Sequence, residues 1–211
     1  MTLPDVIPVF PLPNVVFFPR LPLPLHIFEP RYRAMVRDAA RGTRVIGMAL
    51  LRAGWERDYE GRPPIYGAGT VGELVRVEEL PDGRFNIVLL GRREYEVKHE
   101  LNRAAYREAA VTWREPASGA LPGGVREEVS RLVERYLARR GMTMERSRLT
   151  QSGVDDETFV NFLCQHLDVA LVEKQALLEA PTLLERARRL IDVLEFGLEE
   201  LAQPGGPTRT Q

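Results

Sequence analysis

The chain has 211 residues, 44% hydrophobic and 28% charged, a balance that excludes a disordered, collagen-like or disulfide-stapled protein. Its 29 basic and 30 acidic side chains leave a net charge of −1, which argues against a surface built as a whole to hold nucleic acid. The longest apolar runs, such as residues 45–51, are less than half of the roughly 20 residues a bilayer-spanning helix needs. No charged stretch precedes an apolar run at the N-terminus, so the chain is expected to be cytoplasmic and not membrane-bound. The single cysteine, Cys164, agrees with a reducing compartment.

Eight of the 16 prolines fall at positions 4, 8, 11, 13, 19, 22, 24 and 30, so the opening segment cannot be a regular helix. Paired apolar residues between them, at 9–10, 15–18 and 23–28, read as short extended pieces broken by turns. A first helix follows from Pro30, with Tyr32, Met35, Val36 and Ala39 at helical spacing and Gly42 as its stop. From residue 44 to about 114 the period shifts toward two. Strands are expected at 44–51, around 71–77, at 85–90, about 95–99 and 109–113, with Val71, Val75 and Val77 on one face and Leu74 on the other. Leu80-Pro81-Asp82-Gly83 is the turn between two of them. This predicts an antiparallel β-rich unit of about six strands with one early helix.

Residues 116–124, with Pro, Ser and three glycines, have the composition of a linker. Helical spacing then runs to the end. Val129, Leu132, Val133 and Tyr136 lie on one face of a helix, and Phe159, Phe162, Leu163 and Leu167 on another, behind the acidic turn Asp155-Asp156-Glu157. A short helix over 171–178 precedes Pro181-Thr182-Leu183-Leu184-Glu185, a proline stop and capping box that opens the last helix. The fold class is therefore α+β, with a β-rich domain over 1–115, a linker over 116–124, helices over 125–203 and a disordered tail over 204–211.

Most catalytic signatures fail. Gly67-Ala68-Gly69-Thr70-Val71-Gly72 matches G-x-G-x-x-G, but a β-patterned segment follows it, and without a helix N-terminus there is no dipole for a pyrophosphate. Small residues in a twisted or bulged strand explain these glycines more simply. His26, His99 and His166 show no metal-ligand spacing, and Cys164 and His166 lie two apart on a helix, on roughly opposed faces. No serine sits in a G-x-S-x-G elbow and no G-x-x-x-x-G-K-[ST] occurs, so no cofactor, metal or catalytic residue is assigned and the chain is read as a non-enzyme. Arginine supplies 27 of the 29 basic groups, but it is scattered among Glu and Asp and reads as a compositional bias.

The remaining candidate is the apolar, proline-broken opening, where residues 17–25 could bind an extended hydrophobic peptide or add a strand to it; the same prolines can equally protect an edge.

Ile7-Pro8-Val9-Phe10-Pro11-Leu12-Pro13-Asn14 and Leu21-Pro22-Leu23-Pro24-Leu25-His26-Ile27-Phe28-Glu29-Pro30-Arg31-Tyr32 closely resemble the opening of the Lon protease N-terminal, substrate-binding domain, in the stand-alone bacterial form. Gly69-Thr70-Val71-Gly72-Glu73-Leu74, Gly91-Arg92-Arg93-Glu94-Tyr95 and Glu173-Lys174-Gln175-Ala176-Leu177-Leu178 are similar to later segments of that family, in order. The resemblance implies a PUA-like pseudo-barrel followed by a helical bundle. It also implies a role in contacting proteins, without the ATPase and Ser-Lys protease domains of full-length relatives. It supplies no catalytic residue. The expected function is a peptide-binding module for unfolded or hydrophobic segments, an adaptor or holdase working with a protease or chaperone. Its contacts would come from Phe17, Phe18, Leu21, Leu23, His26, Phe28, Tyr32, Arg92 and Arg93. The alternative is RNA binding, since residues 20–52 hold seven arginines against Glu29 and Asp38 and PUA-like barrels include RNA binders.

Overall fold

The computed structural model describes residues 3–58, 61–117, 119–142 and 153–202, so the tail expected to be disordered lies outside the described residues. Contacts divide the chain into two compact units, Met1–Pro116 and Ala117–Gln211. The first contains strands β1 (Val6–Leu12) and β2 (Pro22–Ile27), helix α1 (Pro30–Arg41), β3 (Val45–Leu50), a 3-10 turn (Trp55–Asp58), β4 (Ala68–Glu79), β5 (Phe85–Leu101) and β6 (Arg107–Trp113). The sheet order is β2-β5-β4-β3-β1-β6, and β6 also pairs with β5, so five strands close into a ring and β2 hangs on the outside of β5.

Two sequence expectations need correction. The sheet is mixed, because β1 runs parallel to β3 with Val9 opposite Gly47 and Leu12 opposite Leu50. The crossover through β2 and α1 makes that parallel pairing possible. The strands expected at 85–90 and 95–99 are one strand, β5, which pairs β2 through Phe85–Leu90 and β6 through Tyr95–Leu101. The prolines of β1 fit an internal strand because its neighbours are offset. Val6–Val9 pair with β6 and Val9–Leu12 with β3, so Pro8 and Pro11 each have one open side for a nitrogen that cannot donate.

Inside the ring, Ile7, Val9, Val45, Val71, Tyr95 and Val111 pack together; α1 closes a second cluster with Tyr32, Met35 and Val36 against Phe10, Ile27, Leu74 and Ile87. Tyr95 is fully buried, and its hydroxyl donates to the Met48 carbonyl at 2.9 Å. A Cβ on Gly69 would collide with that carbonyl and with the Tyr95 hydroxyl, and one on Gly47 would crowd the same ring. Of the glycines in the G-x-G-x-x-G match, Gly69 thus makes room for the Tyr95 ring and Gly72 for Leu89 and Phe17, and a bulge falls between Val71 and Gly72.

The second unit contains α2 (Val125–Arg139), α3 (Asp156–His166), α4 (Leu171–Leu178) and α5 (Leu183–Ala202), with α5 packed against the other three. Asp155 caps α3 by accepting from Thr158 N at 3.0 Å, and Thr182 Oγ1 accepts from Glu185 N at 3.1 Å at the start of α5. The centre is polar. Arg186 is 0% exposed and donates to Asn161 Oδ1 at 2.6 Å and to the carbonyls of Leu177 at 3.0 Å and Leu178 at 3.2 Å. Those carbonyls end α4, and the Leu177 carbonyl also accepts from Ala180 N at 3.3 Å.

Replacing Arg186 by Met should destabilise the helical unit by roughly 2–4 kcal/mol in urea unfolding, because three buried acceptors each lose a guanidinium donor. A neutral effect would overturn this account. Asp156 responds to pH. Burial would raise its pKa, but the Leu121 amide at 2.7 Å and Arg126 Nη1 at 2.5 Å outweigh that and hold it below the usual carboxylate range. With the folded pKa lowered, its contribution is complete above the unfolded value of 3.8 and lost as pH falls through the folded one. Asp156→Asn should therefore flatten the acid limb of a stability-against-pH curve; an unchanged limb would exclude that role.

Candidate functional site

From Phe85 to Leu90, β5 alternates between its faces. Phe85, Ile87 and Leu89 are buried, whereas Asn86, Val88 and Leu90 are half-buried and Arg92 is exposed. The register sets Pro22 opposite Leu90, Pro24 opposite Val88 and His26 opposite Asn86, and on the other side sets Arg76 opposite Val88 and Glu78 opposite Asn86. Cross-strand partners share a face, so these side chains form the outer surface of three adjacent strands. A shallow cavity of about 410 Å³ opens there, with Pro24, His26, Arg76 and Val88 in its lining. Two large apolar side chains stand beside it in solvent: Phe28 is 59% exposed and Val75 48%.

Val75 reaches this surface through an irregularity. A register shift between Leu74 and Arg76 turns it out while Leu74 stays fully buried, contrary to the expectation that Val71, Val75 and Val77 share a face. Polar side chains frame the apolar surface. His26 Nδ1 lies 2.8 Å from Asn86 Oδ1, and the rings of His26 and Phe28 stack at 6.4 Å. In the turn before β5, the backbone amide and guanidinium of Arg84 bond to Asp82 at 3.0 and 2.6 Å and hold its carboxyl below the usual range. Arg92 Nε donates to Glu73 Oε2 at 2.8 Å.

The predicted contact residues separate into core and surface. Phe17, Phe18, Leu21 and Tyr32 are 2%, 0%, 4% and 5% exposed; they are core side chains and present nothing to a docking peptide, which corrects their assignment. Leu23 is half-buried against the α1 cluster, Tyr32 packs on Phe10 at 4.3 Å, and Arg93 turns from the outer surface to donate to the Arg114 carbonyl at 2.8 Å. Of the nine, His26, Phe28 and Arg92 remain on the surface just described. Pro24 belongs to the segment 17–25 singled out from the sequence, whereas Val75, Arg76 and Val88 escaped the sequence reading. The period-2 alternation along β5 could have flagged Val88, but the bulge that exposes Val75 left no trace in the pattern.

Strand addition at β2 is disfavoured. Among the described residues its outer edge pairs with no strand, yet Pro22 and Pro24, two of its six residues, have no amide to donate to an added strand. Among the described residues no group of three or more His, Cys, Asp or Glu could hold a metal ion. Cys164 is buried, and His166 stacks on Phe162 at 4.3 Å with Nδ1 2.9 Å from that residue's carbonyl. No described helix is long and apolar enough to cross a membrane.

The division between core and surface is measurable by chemical denaturation. Phe17→Ala should cost about 3–5 kcal/mol, whereas Phe28→Ala should stay within about 0.5 kcal/mol of the parent. Equal losses would mean that one of the two rings is misplaced.

Comparison with known proteins agrees with this architecture. Residues 6–195 match the family described as the ATP-dependent protease La (LON) substrate-binding domain. Lon protease 2 of Myxococcus xanthus is 28% identical over 198 residues, covering 91% of this chain and 24% of the relative. The Lon protease of Parabacteroides distasonis is 28% identical over 211 residues, with 93% and 25% covered. The chain thus spans about a quarter of the length of the curated relatives it matches. Among solved structures, a Lon N-terminal domain protein from Xanthomonas campestris superposes with a TM-score of 0.66 at 22% identity, covering 89% of this chain and 97% of that one. The N-terminal domain of a Mycobacterium avium complex Lon protease gives 0.67 at 17% identity, covering 90% and 98%. With a match that takes in both units and the strands carrying the exposed face, the chain belongs to the Lon substrate-binding domain family.

Proposed function

We propose that this chain is a non-catalytic recognition module that binds exposed apolar segments of unfolded or partly folded proteins on the outer face of β2, β5 and β4. The observation that carries the reading is the pair Phe28 and Val75, 59% and 48% exposed beside a cavity of about 410 Å³. Exposed apolar surface rimmed by polar side chains is what a protein-docking site requires. Family membership supports the same reading, since the matched family is described by substrate binding. The module acts in the cytoplasm as an adaptor or holdase, passing captured segments to a protease or chaperone.

We read the first unit as a PUA-like pseudo-barrel over residues 1–115, which its closed five-strand ring supports, and the second as a helical bundle over 125–203 joined through a linker at 116–124. The RNA-binding reading is weaker on electrostatic grounds. Arg37, Arg84 and Arg92 are bonded to Glu79, Asp82 and Glu73 at 3.1, 2.6 and 2.6 Å, so their charge is already balanced locally.

Titrating the full chain against a reduced, carboxymethylated unfolded protein should give saturable binding that Phe28→Ala or Val75→Ser weakens about fivefold or more. A single-stranded RNA should bind weakly at low salt or not at all. Absence of protein binding at saturating concentration, or RNA affinity falling steeply with salt, would overturn the reading.

A further inference from the structure

The aromatic end of this face runs directly into a group of guanidiniums. His26, stacked on Phe28, has Nε2 3.4 Å from Arg84 Nη1, and Arg84 follows Gly83 in the turn before β5. Two arginines of α1 reach that turn from the other side. Arg33 Nη2 occupies the space a Gly83 side chain would need, and Arg37 Nη2 lies 3.6 Å from the same point. The two guanidiniums are therefore close neighbours, one helical turn apart on α1. Arg84 is held by Asp82 and Arg37 by Glu79. Arg33 is different: it is half-buried, its Nε is shielded from solvent with no acceptor, and among the described residues no carboxylate pairs with it. A guanidinium that is partly desolvated, uncompensated and beside a second one is stabilised by an incoming anion.

We propose that this patch gives the module a preference for segments in which an apolar side chain lies next to carboxylates. The apolar group covers Phe28, and Asp or Glu side chains a few residues away reach the Arg33–Arg37 pair. Charge complementarity selects the occupant. Three guanidiniums, Arg33, Arg37 and Arg84, face two carboxylates, Glu79 and Asp82, so an acidic segment balances the patch whereas a basic one is repelled. This rests on the recognition role proposed above and specifies the class of segment recognised.

The test uses the full chain and three fluorescein-labelled Gly/Ser-rich peptides read by anisotropy. One carries a Leu-Leu pair with two nearby Asp, one has the Asp replaced by Asn, and one has the Leu replaced by Ser. The Asp peptide should bind about fivefold more tightly than the Asn peptide, the upper end for a solvent-facing ion pair. That gap should close in Arg33→Gln, narrow in Arg37→Gln, and shrink as salt rises from about 0.05 to 0.5 M. Thermal unfolding of both variants shows whether the fold is retained, and either folded variant suffices. Equal binding of the Asp and Asn peptides that still depends on Phe28 would overturn this inference and leave the recognition role standing. If none of the peptides nor an unfolded protein binds, the recognition role itself falls. A gap that stays undiminished in a folded Arg33→Gln or Arg37→Gln would remove that arginine from the site and overturn the inference.

Discussion

The closed ring of strands depends on β5 changing partners at Gly91. Up to Leu90 the strand pairs with β2, and from Tyr95 it pairs with β6, which closes the ring. Between them the chain from Phe18 to Leu21 crosses over β5 so closely that a Cβ on Gly91 would strike the Phe18 carbonyl and the Pro19 backbone. Two hydrogen bonds pin the crossing: Arg20 N donates to Gly91 O at 2.8 Å and Gly91 N donates to Leu21 O at 2.9 Å. Arg20 adopts φ +68, a left-handed conformation that a non-glycine residue takes only at a cost, maintained here by the bonded crossing. Without this exchange β2 and β6 would compete for the same edge of β5.

The exposed outer face of β2, β5 and β4 follows from that arrangement. Displacing β2 to the outside of the ring leaves the far face of β2, β5 and β4 with nothing of the barrel core against it, while the near face receives α1. The apolar letters of the opening segment are consequently divided. Phe17 and Phe18 are drawn inward by the crossing at Gly91, whereas Phe28, one residue past the end of β2 and two before α1, is left in solvent. Affinity on such a face comes from a few apolar anchors, and the charges at its rim act mainly on selectivity.

Arginine, which looked like compositional bias, has a recurrent structural use in both units. Arg44 Nη2 donates to the Leu74 carbonyl at 2.6 Å, Arg107 Nη2 to the Pro63 carbonyl at 2.6 Å, and Arg186 to two carbonyls at the end of α4. A guanidinium offers five donors in a fixed fork, so it can satisfy several acceptors where strand bulges, turns and helix ends leave carbonyls without partners. Lysine could not serve these positions equally. Against that background Arg33 stands out: its shielded Nε has no acceptor, as at Arg140, but Arg140 is paired with Asp168 whereas among the described residues no carboxylate pairs with Arg33.

Much of the architecture was legible from local chemistry. Pro30 opening α1, Asp155 and Thr182 capping α3 and α5, and Pro81-Asp82-Gly83 turning into β5 are decided within a few residues of chain, so where these elements begin can be read from neighbouring residues. The order of spaced motifs likewise identified the family. Tertiary structure alone decided the parallel pairing of β1 with β3, the continuity of β5, the outward turn of Val75 and the burial of Phe17, Phe18, Leu21 and Tyr32. The physical reason is that hydrophobicity states only that a side chain prefers to leave water. Which apolar residues succeed depends on strand register and on where two distant backbones approach closely enough to require glycine, and both are set by contacts between residues far apart in the chain.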